Sequence, residues 1–140
     1  MRFVLDASVA MTWLLRAAAD GGAAFAIVEW LARPDTEIRV PATWSLEIAN
    51  VVVRAEIRGQ TTAADSSAFL DLLLRAPIEV DPATAELALS ATLALARRYR
   101  LSSYDASYLE LACRERLPLA TLDSDLATAA RAAGVTLVLG

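Results

Sequence analysis

The chain has 140 residues, 56% apolar and 21% charged, with one Cys and a net charge of −4; that predicts a single domain over 1–140 with a packed core and excludes an intrachain disulfide or a cysteine zinc cluster. It contains neither His nor Lys, so histidine triads, histidine zinc sites, a Walker A loop, a Schiff base and a lysine general base are all impossible. The uncharged stretch Leu87 to Ala96 is too short for a membrane span, and Asp6 and Arg16 interrupt the apolar N-terminus, which predicts no membrane partner, no signal peptide and a soluble, reducing, cytoplasmic setting.

Arg2–Leu5 reads as a short apolar strand ending at Asp6. Ala7–Arg16 shows helical spacing, with Val9, Trp13 and Leu14 on one side. Gly21-Gly22 breaks the chain, and Ala23–Ala32 resumes as a helix stopped by Arg33-Pro34. Glu37–Val40 is a second strand closed by Pro41. Thr43 is the expected N-cap of a helix running to Arg58, with Gly59 as its stop. Thr62–Arg75 is amphipathic, and Ile78–Val80 is a third strand. Pro82 opens a long helix to about Tyr99, followed by a helix over Ser102–Glu115. Leu119–Leu122 is a strand, Ser124–Ala133 a helix capped by Gly134, and Val135–Leu139 a last strand. Short apolar strands alternating with helices predict an α/β fold with a parallel sheet covered on both faces. Ligands of such sheets bind beyond the carboxyl ends of the strands.

Asp6 and Asp123 both sit where a strand hands over to a helix. Helix N-capping accounts for either one taken alone. Asp105 lies three residues after Ser102, and a capping-box-like start accounts for it in the same way. Glu47 differs, because it falls within the apolar stretch Trp44–Val53, where a mid-helix carboxylate caps nothing and is costly to bury unpaired. Two acids on inward helix faces and two at strand ends can meet in one crevice. Four carboxylates together repel unless a hard divalent cation joins them. With no His and one Cys, oxygen is the donor this chain offers, and Mg²⁺ or Mn²⁺ suits it. Such a cation on carboxylates serves phosphoryl chemistry. A negative chain is not the usual footprint of a nucleic-acid binder, so a cation would have to mediate a phosphate contact.

Val4-Leu5-Asp6-Ala7-Ser8-Val9, Trp44-Ser45-Leu46-Glu47-Ile48-Ala49-Asn50, Ser103-Tyr104-Asp105-Ala106-Ser107-Tyr108-Leu109 and Leu119-Ala120-Thr121-Leu122-Asp123 resemble the four acidic motifs of PIN-domain proteins, in the order and spacing of VapC toxins of toxin–antitoxin pairs. The resemblance covers essentially the whole chain. It implies a three-layer α/β/α fold with a central parallel sheet of about five short strands. It further implies Mg²⁺- or Mn²⁺-dependent endoribonuclease activity, a homodimer, and inhibition by a VapB-like antitoxin. Carried over residue by residue, Asp6, Glu47, Asp105 and Asp123 are the catalytic, metal-site acids, with Asp6 and Asp105 as first choices for direct ligands. Ser8 and Thr121 match the small hydroxyl positions beside the acids.

Asp125 has two readings, support for a second metal or a favourable early acid in a helix. Asn50, one turn after Glu47, either hydrogen-bonds near the site or is solvated. Arg54 and Arg58 on the Glu47 helix, and Arg97, Arg98 and Arg100 as the densest basic cluster, are candidates for holding RNA phosphates. Ion pairing at the surface is their other reading. Haloacid-dehalogenase-like enzymes and receiver domains need a Lys, which is absent, and a dinucleotide binder needs glycines after the first strand. The alternative that remains is a non-toxic PIN-domain protein acting in RNA binding or maturation without free endonuclease activity.

Overall fold

The computed structural model describes residues 1–15 and 21–139. Strand β1 (Arg2–Leu5) leads through Asp6 into α1 (Ala7–Leu15), and α2 (Gly21–Leu31) precedes β2 (Glu37–Val40). Next come α3 (Trp44–Ile57), α4 (Ala63–Arg75) and β3 (Ile78–Val80). A short α5 (Thr84–Leu87) continues through a π-helical turn (Ala88–Thr92) into α6 (Leu93–Tyr99). Then follow α7 (Ser103–Glu115), β4 (Leu119–Ala120) and α8 (Ser124–Ala132).

The strands form one parallel sheet in the order β3-β2-β1-β4. Phe3, Val4 and Leu5 of β1 are fully buried, as expected for a central parallel strand covered on both faces. Helix α1 packs against α2, α3 and α4, whereas α7 packs against β1, β4, α6 and α8. Helices therefore flank the sheet, and the expected α/β/α layering is present. Among the described residues no helix is long and apolar enough to cross a membrane.

Four strands are present rather than about five. The expected strand over Val135–Leu139 makes a single parallel bridge, Leu119 to Leu137, held by Leu119 N–H on Thr136 O and Val138 N–H on Leu119 O. One residue pair does not make a ladder. β4 is also two residues shorter than expected. Its continuation is diverted, because the Leu122 N–H donates to the Ser8 hydroxyl instead of a strand neighbour. Gly21 and Gly22 lie inside α2 rather than breaking the chain. Arg16, placed by its spacing at the end of the first helix, lies outside the described residues. The long helix after Pro82 is interrupted by its π-turn.

One ionic cluster ties the edge strand to α7. Asp81, 2% exposed just after β3, accepts from Arg114 Nη2 at 2.6 Å. Arg114 Nε donates to the buried Glu110 at 2.7 Å. Asp81 also accepts from the Ala83 N–H and the Thr84 hydroxyl, which shapes the turn into α5. Removing the guanidinium would leave the buried Glu110 without a counter-charge and the buried Asp81 with only Arg39, 4.0 Å away. Arg114→Ala is expected to lower stability by about 2–3 kcal/mol, the lower end for a broken buried pair because Arg114 keeps partial exposure. The midpoint of urea unfolding measures this, and an unchanged midpoint would show the cluster to be dispensable.

Candidate active site

Four acids distant in sequence arrive at the carboxyl end of the sheet. Asp6 is the residue after β1, where its N–H extends the pairing by donating to Ala120 O. Asp123 follows β4 and caps α8, its Oδ1 accepting from the Leu126 N–H at 2.8 Å. Glu47 sits in the first turn of α3, directly beyond β2, and Asp105 in the first turn of α7. The Ser102 hydroxyl caps α7 by accepting from the Asp105 N–H. Glu47 is therefore not a mid-helix acid. Its helix begins at Trp44, so the carboxylate stands near the favourable N-terminal end, and Leu46 and Ala49 beside it are exposed.

Local hydroxyls orient the deepest of the acids. Asp6 is 4% exposed, and its Oδ2 accepts from Ser8 at 2.6 Å and Thr121 at 2.7 Å. Ser8 lies on α1 and Thr121 after β4, so one carboxylate oxygen joins the ends of two neighbouring strands. The Asp123 N–H donates to the same Thr121 hydroxyl. Ser8 and Thr121 thus both bond the Asp6 carboxylate.

Glu47 is held by two side chains whose part was not foreseen. Tyr108 donates its phenol to Oε2 at 3.0 Å, and Thr43 donates its hydroxyl to Oε1 at 3.2 Å. Thr43 was expected as the N-cap of α3, but it has helical backbone angles and makes no side-chain cap. Its position four residues before Glu47, and that of Tyr108 one turn after Asp105, were the available signals.

The electrostatics is one-sided. Burial raises the Asp6 carboxyl above its ordinary pKa despite its hydroxyl partners, and the charge of Asp123 adds to the rise. Burial likewise raises Glu47, reinforced by Asp6 and Asp105 and opposed by Tyr108 and Thr43. Asp105 is raised by burial, then by Asp123 and Asp6. Tyr108 is shifted upward by burial and by Asp6 and Glu47, so its phenol stays a proton donor. Asp6, Glu47 and Asp105 each feel the charge of a neighbouring acid, and among the described residues none of the four acids is ion-paired with an arginine.

The remaining candidates fall into two groups. Asp125 is exposed in the first turn of α8 and adds slightly to the rise of Asp105. Asn50 is exposed on α3 and lines a hollow with Glu47. Arg97 and Arg98 lie in the last turn of α6, and the left-handed Arg100 (φ 54°) turns the chain toward α7 and Asp105. Arg98 stacks over the Tyr99 ring at 5.4 Å. Arg54 and Arg58 lie farther off. At a helical rise of about 1.5 Å per residue they stand about 10 and about 16 Å beyond Glu47 along α3.

A family model for the PIN domain matches residues 3–132. The chain belongs to the PIN domain family. Among solved structures it is similar to the crystal structure of PAE2754 from Pyrobaculum aerophilum, with a TM-score of 0.68 and 22% identity over 99% of this chain and 84% of that one. At that identity the likeness supports the fold. No curated protein gives a significant match. PIN domains are in general nucleases that depend on a divalent metal.

The donor set of this PIN domain fits a hard cation in kind: carboxylate oxygens and hydroxyls, crowded with negative charge and lacking a basic partner among the described residues. In arrangement it is looser than expected. Among the described residues no three acidic or cysteine side chains are gathered tightly enough to hold an ion as they stand. Each acid is drawn to its own partners, Asp6 to hydroxyls, Glu47 to Tyr108 and Thr43, Asp123 to the α8 N-terminus, and like charges oppose closer approach.

Three carboxyls with raised pKa values bind protons more tightly in the folded than in the unfolded chain. Their contribution to stability is fully present below the unfolded pKa and is lost as pH rises through the raised values. In EDTA, Asp6→Asn removes one such group while keeping an acceptor oxygen for Ser8 and Thr121. The variant is expected to melt at a higher temperature than wild type at neutral pH, with the difference shrinking in acid. Thermal unfolding across a pH series measures this; a lower melting temperature at neutral pH would contradict the charge balance.

Proposed function

We propose that this PIN domain is a VapC-type toxin, an endoribonuclease that hydrolyses RNA phosphodiesters with the help of Mg²⁺ or Mn²⁺. The observation carrying this reading is the set of mutually repelling acids at the strand ends, with three carboxyls raised and, among the described residues, no arginine paired with them. Asp6 and Asp105 would hold the cation directly, and Glu47 and Asp123 would hold it through water or complete a second site. The cation, when bound, acidifies a water and neutralises charge on the phosphate oxygens.

The protein's own groups do the rest. Ser8 and Thr121 fix the Asp6 rotamer, and Tyr108 and Thr43 fix both oxygens of Glu47. Asp123 commits one oxygen to α8 and keeps the other for the site. Arg97, Arg98 and Arg100, which make no ion pair among the described residues, stand at the Asp105 corner to receive RNA phosphates. A homodimer and a VapB-like antitoxin belong to the same reading. Large apolar side chains exposed on α3 and α4, among them Val53, Ile57, Leu70 and Leu74, favour a protein partner there.

Total RNA incubated with wild type in Mg²⁺ or Mn²⁺ is expected to be cut, and Asp6→Asn or EDTA to abolish the cutting. Equal cleavage by both proteins, or cleavage surviving EDTA, would falsify the metal mechanism. RNA binding without cleavage would favour the non-toxic alternative. Tyr108→Phe removes one of the two hydrogen bonds that orient Glu47. It is expected to weaken Mn²⁺ binding by about tenfold, as loss of a ligand-orienting partner does. Calorimetric titration reads this without turnover, and unchanged affinity would release Tyr108 from the role.

A further inference from the structure

Beside the acids lies an open hollow of about 470 Å³, lined by Thr43, Leu46, Glu47, Asn50 and Tyr104. It is continuous with the site, since Glu47 belongs to both and Tyr104 immediately precedes Asp105. Two large side chains face solvent here: Tyr104 is 60% and Leu46 74% exposed. Neither contributes to the core. An aromatic ring and a branched aliphatic chain beside a charged site form a surface suited to a flat, uncharged ring.

Charge selects among the parts of a nucleotide. The lining holds a carboxylate and no arginine, with Asp105 next in sequence to Tyr104, so a phosphate group is repelled. A nucleobase carries no charge and gains from stacking. Asn50 supplies an amide with two donors and one acceptor oxygen, the functionality that meets a base edge. Duplex RNA keeps its bases stacked on each other, so the occupant has to come from a single-stranded or looped stretch.

We propose that this hollow seats one unpaired RNA base beside the phosphodiester to be cut, with Tyr104 as its stacking face and Asn50 at its edge. The assignment rests on the ribonuclease reading and adds to it a seat for one flanking base. Tyr104 and Asn50 are binding residues in this scheme and take no part in the chemistry.

The test uses the full chain and a 5′-labelled, mixed-sequence single-stranded RNA decamer. Binding is followed by fluorescence anisotropy in the Asp6→Asn background, so that no turnover intervenes. Adding Tyr104→Ala is expected to weaken binding about tenfold, within the range for loss of one base stack, and Tyr104→Phe to restore it. In the cleaving protein, Tyr104→Ala should raise KM by a similar factor and leave kcat within about twofold. Equal affinity of the Tyr104→Ala and Tyr104 proteins, or a fall in kcat at unchanged KM, overturns the proposal. The two readings fail separately. A chain that binds the decamer through Tyr104 but cuts no RNA in Mg²⁺ or Mn²⁺ loses the nuclease and keeps the hollow. A chain that cuts RNA with wild-type KM after Tyr104→Ala keeps the nuclease and loses the hollow. Absence of any RNA binding overturns both.

Discussion

A buried carboxylate with no positive partner among the described residues governs the carboxyl end of this sheet. Asp6 is almost wholly removed from water and is met by hydroxyls rather than by a guanidinium. Hydroxyl donors satisfy the oxygen but leave the charge in place. Local structure bends to supply those donors. Ser8 turns back from the first turn of α1, and Thr121 leaves the β4 ladder to reach the same oxygen. The Leu122 N–H then finds Ser8. The shortness of β4 follows from satisfying one carboxylate.

Arginine is distributed accordingly. Arg39 and Arg114 are committed to Glu79, Asp81, Glu110 and Glu115, where they pin the edge strand β3 and its neighbour β2 to α7. That cluster pairs its buried acids, in contrast to the site, which leaves them unpaired. With no Lys in the chain, the balance is made by one side-chain type, whose planar fork suits carboxylate and phosphate alike. A guanidinium placed against Asp6 would have relieved its desolvation and occupied the position that a cation needs.

The strand-to-helix handovers were legible because an apolar run followed by Asp has few other meanings. They located Asp6 and Asp123, and the parallel α/β pattern placed both at the same end of the sheet. Periodicity was less informative at Glu47. Apolar residues on either side suggested a mid-helix acid, but Leu46 and Ala49 are exposed and the helix starts only three residues earlier. Hydrogen bonds from Tyr108 and Thr43, which hydropathy does not register, hold the Glu47 carboxylate. Thr43 was misread for a related reason. A threonine before a helix is usually a cap that accepts from a backbone N–H, but here its backbone is already helical and its hydroxyl donates to a half-buried carboxylate. Tyr108 could be placed on the face of Asp105 from spacing alone, whereas its bond to a residue 61 positions away is a tertiary fact. The last strand failed because an apolar run specifies burial, not ladder length; Val135 and Leu137 to Leu139 are half-buried, Thr136 is exposed, and one bridge forms.

The start of α7 also divides the surroundings of the site. On its α6 and α8 side stand Arg100, Tyr99 and Asp125 around a smaller hollow, with Arg97 and Arg98 on the preceding turn. On its α3 side stand Tyr104, Glu47 and Asn50, with no arginine in the lining. A substrate that alternates charged linkers and flat neutral rings is matched by such a division, the linkers drawn to one flank and a ring to the other. Asp105 lies at the boundary, one residue from the tyrosine and five from Arg100. If Asp105 holds the cation as proposed, charge and base would be sorted about that residue, and the point of cleavage along an RNA strand would be set by the same helix start that places the carboxylate.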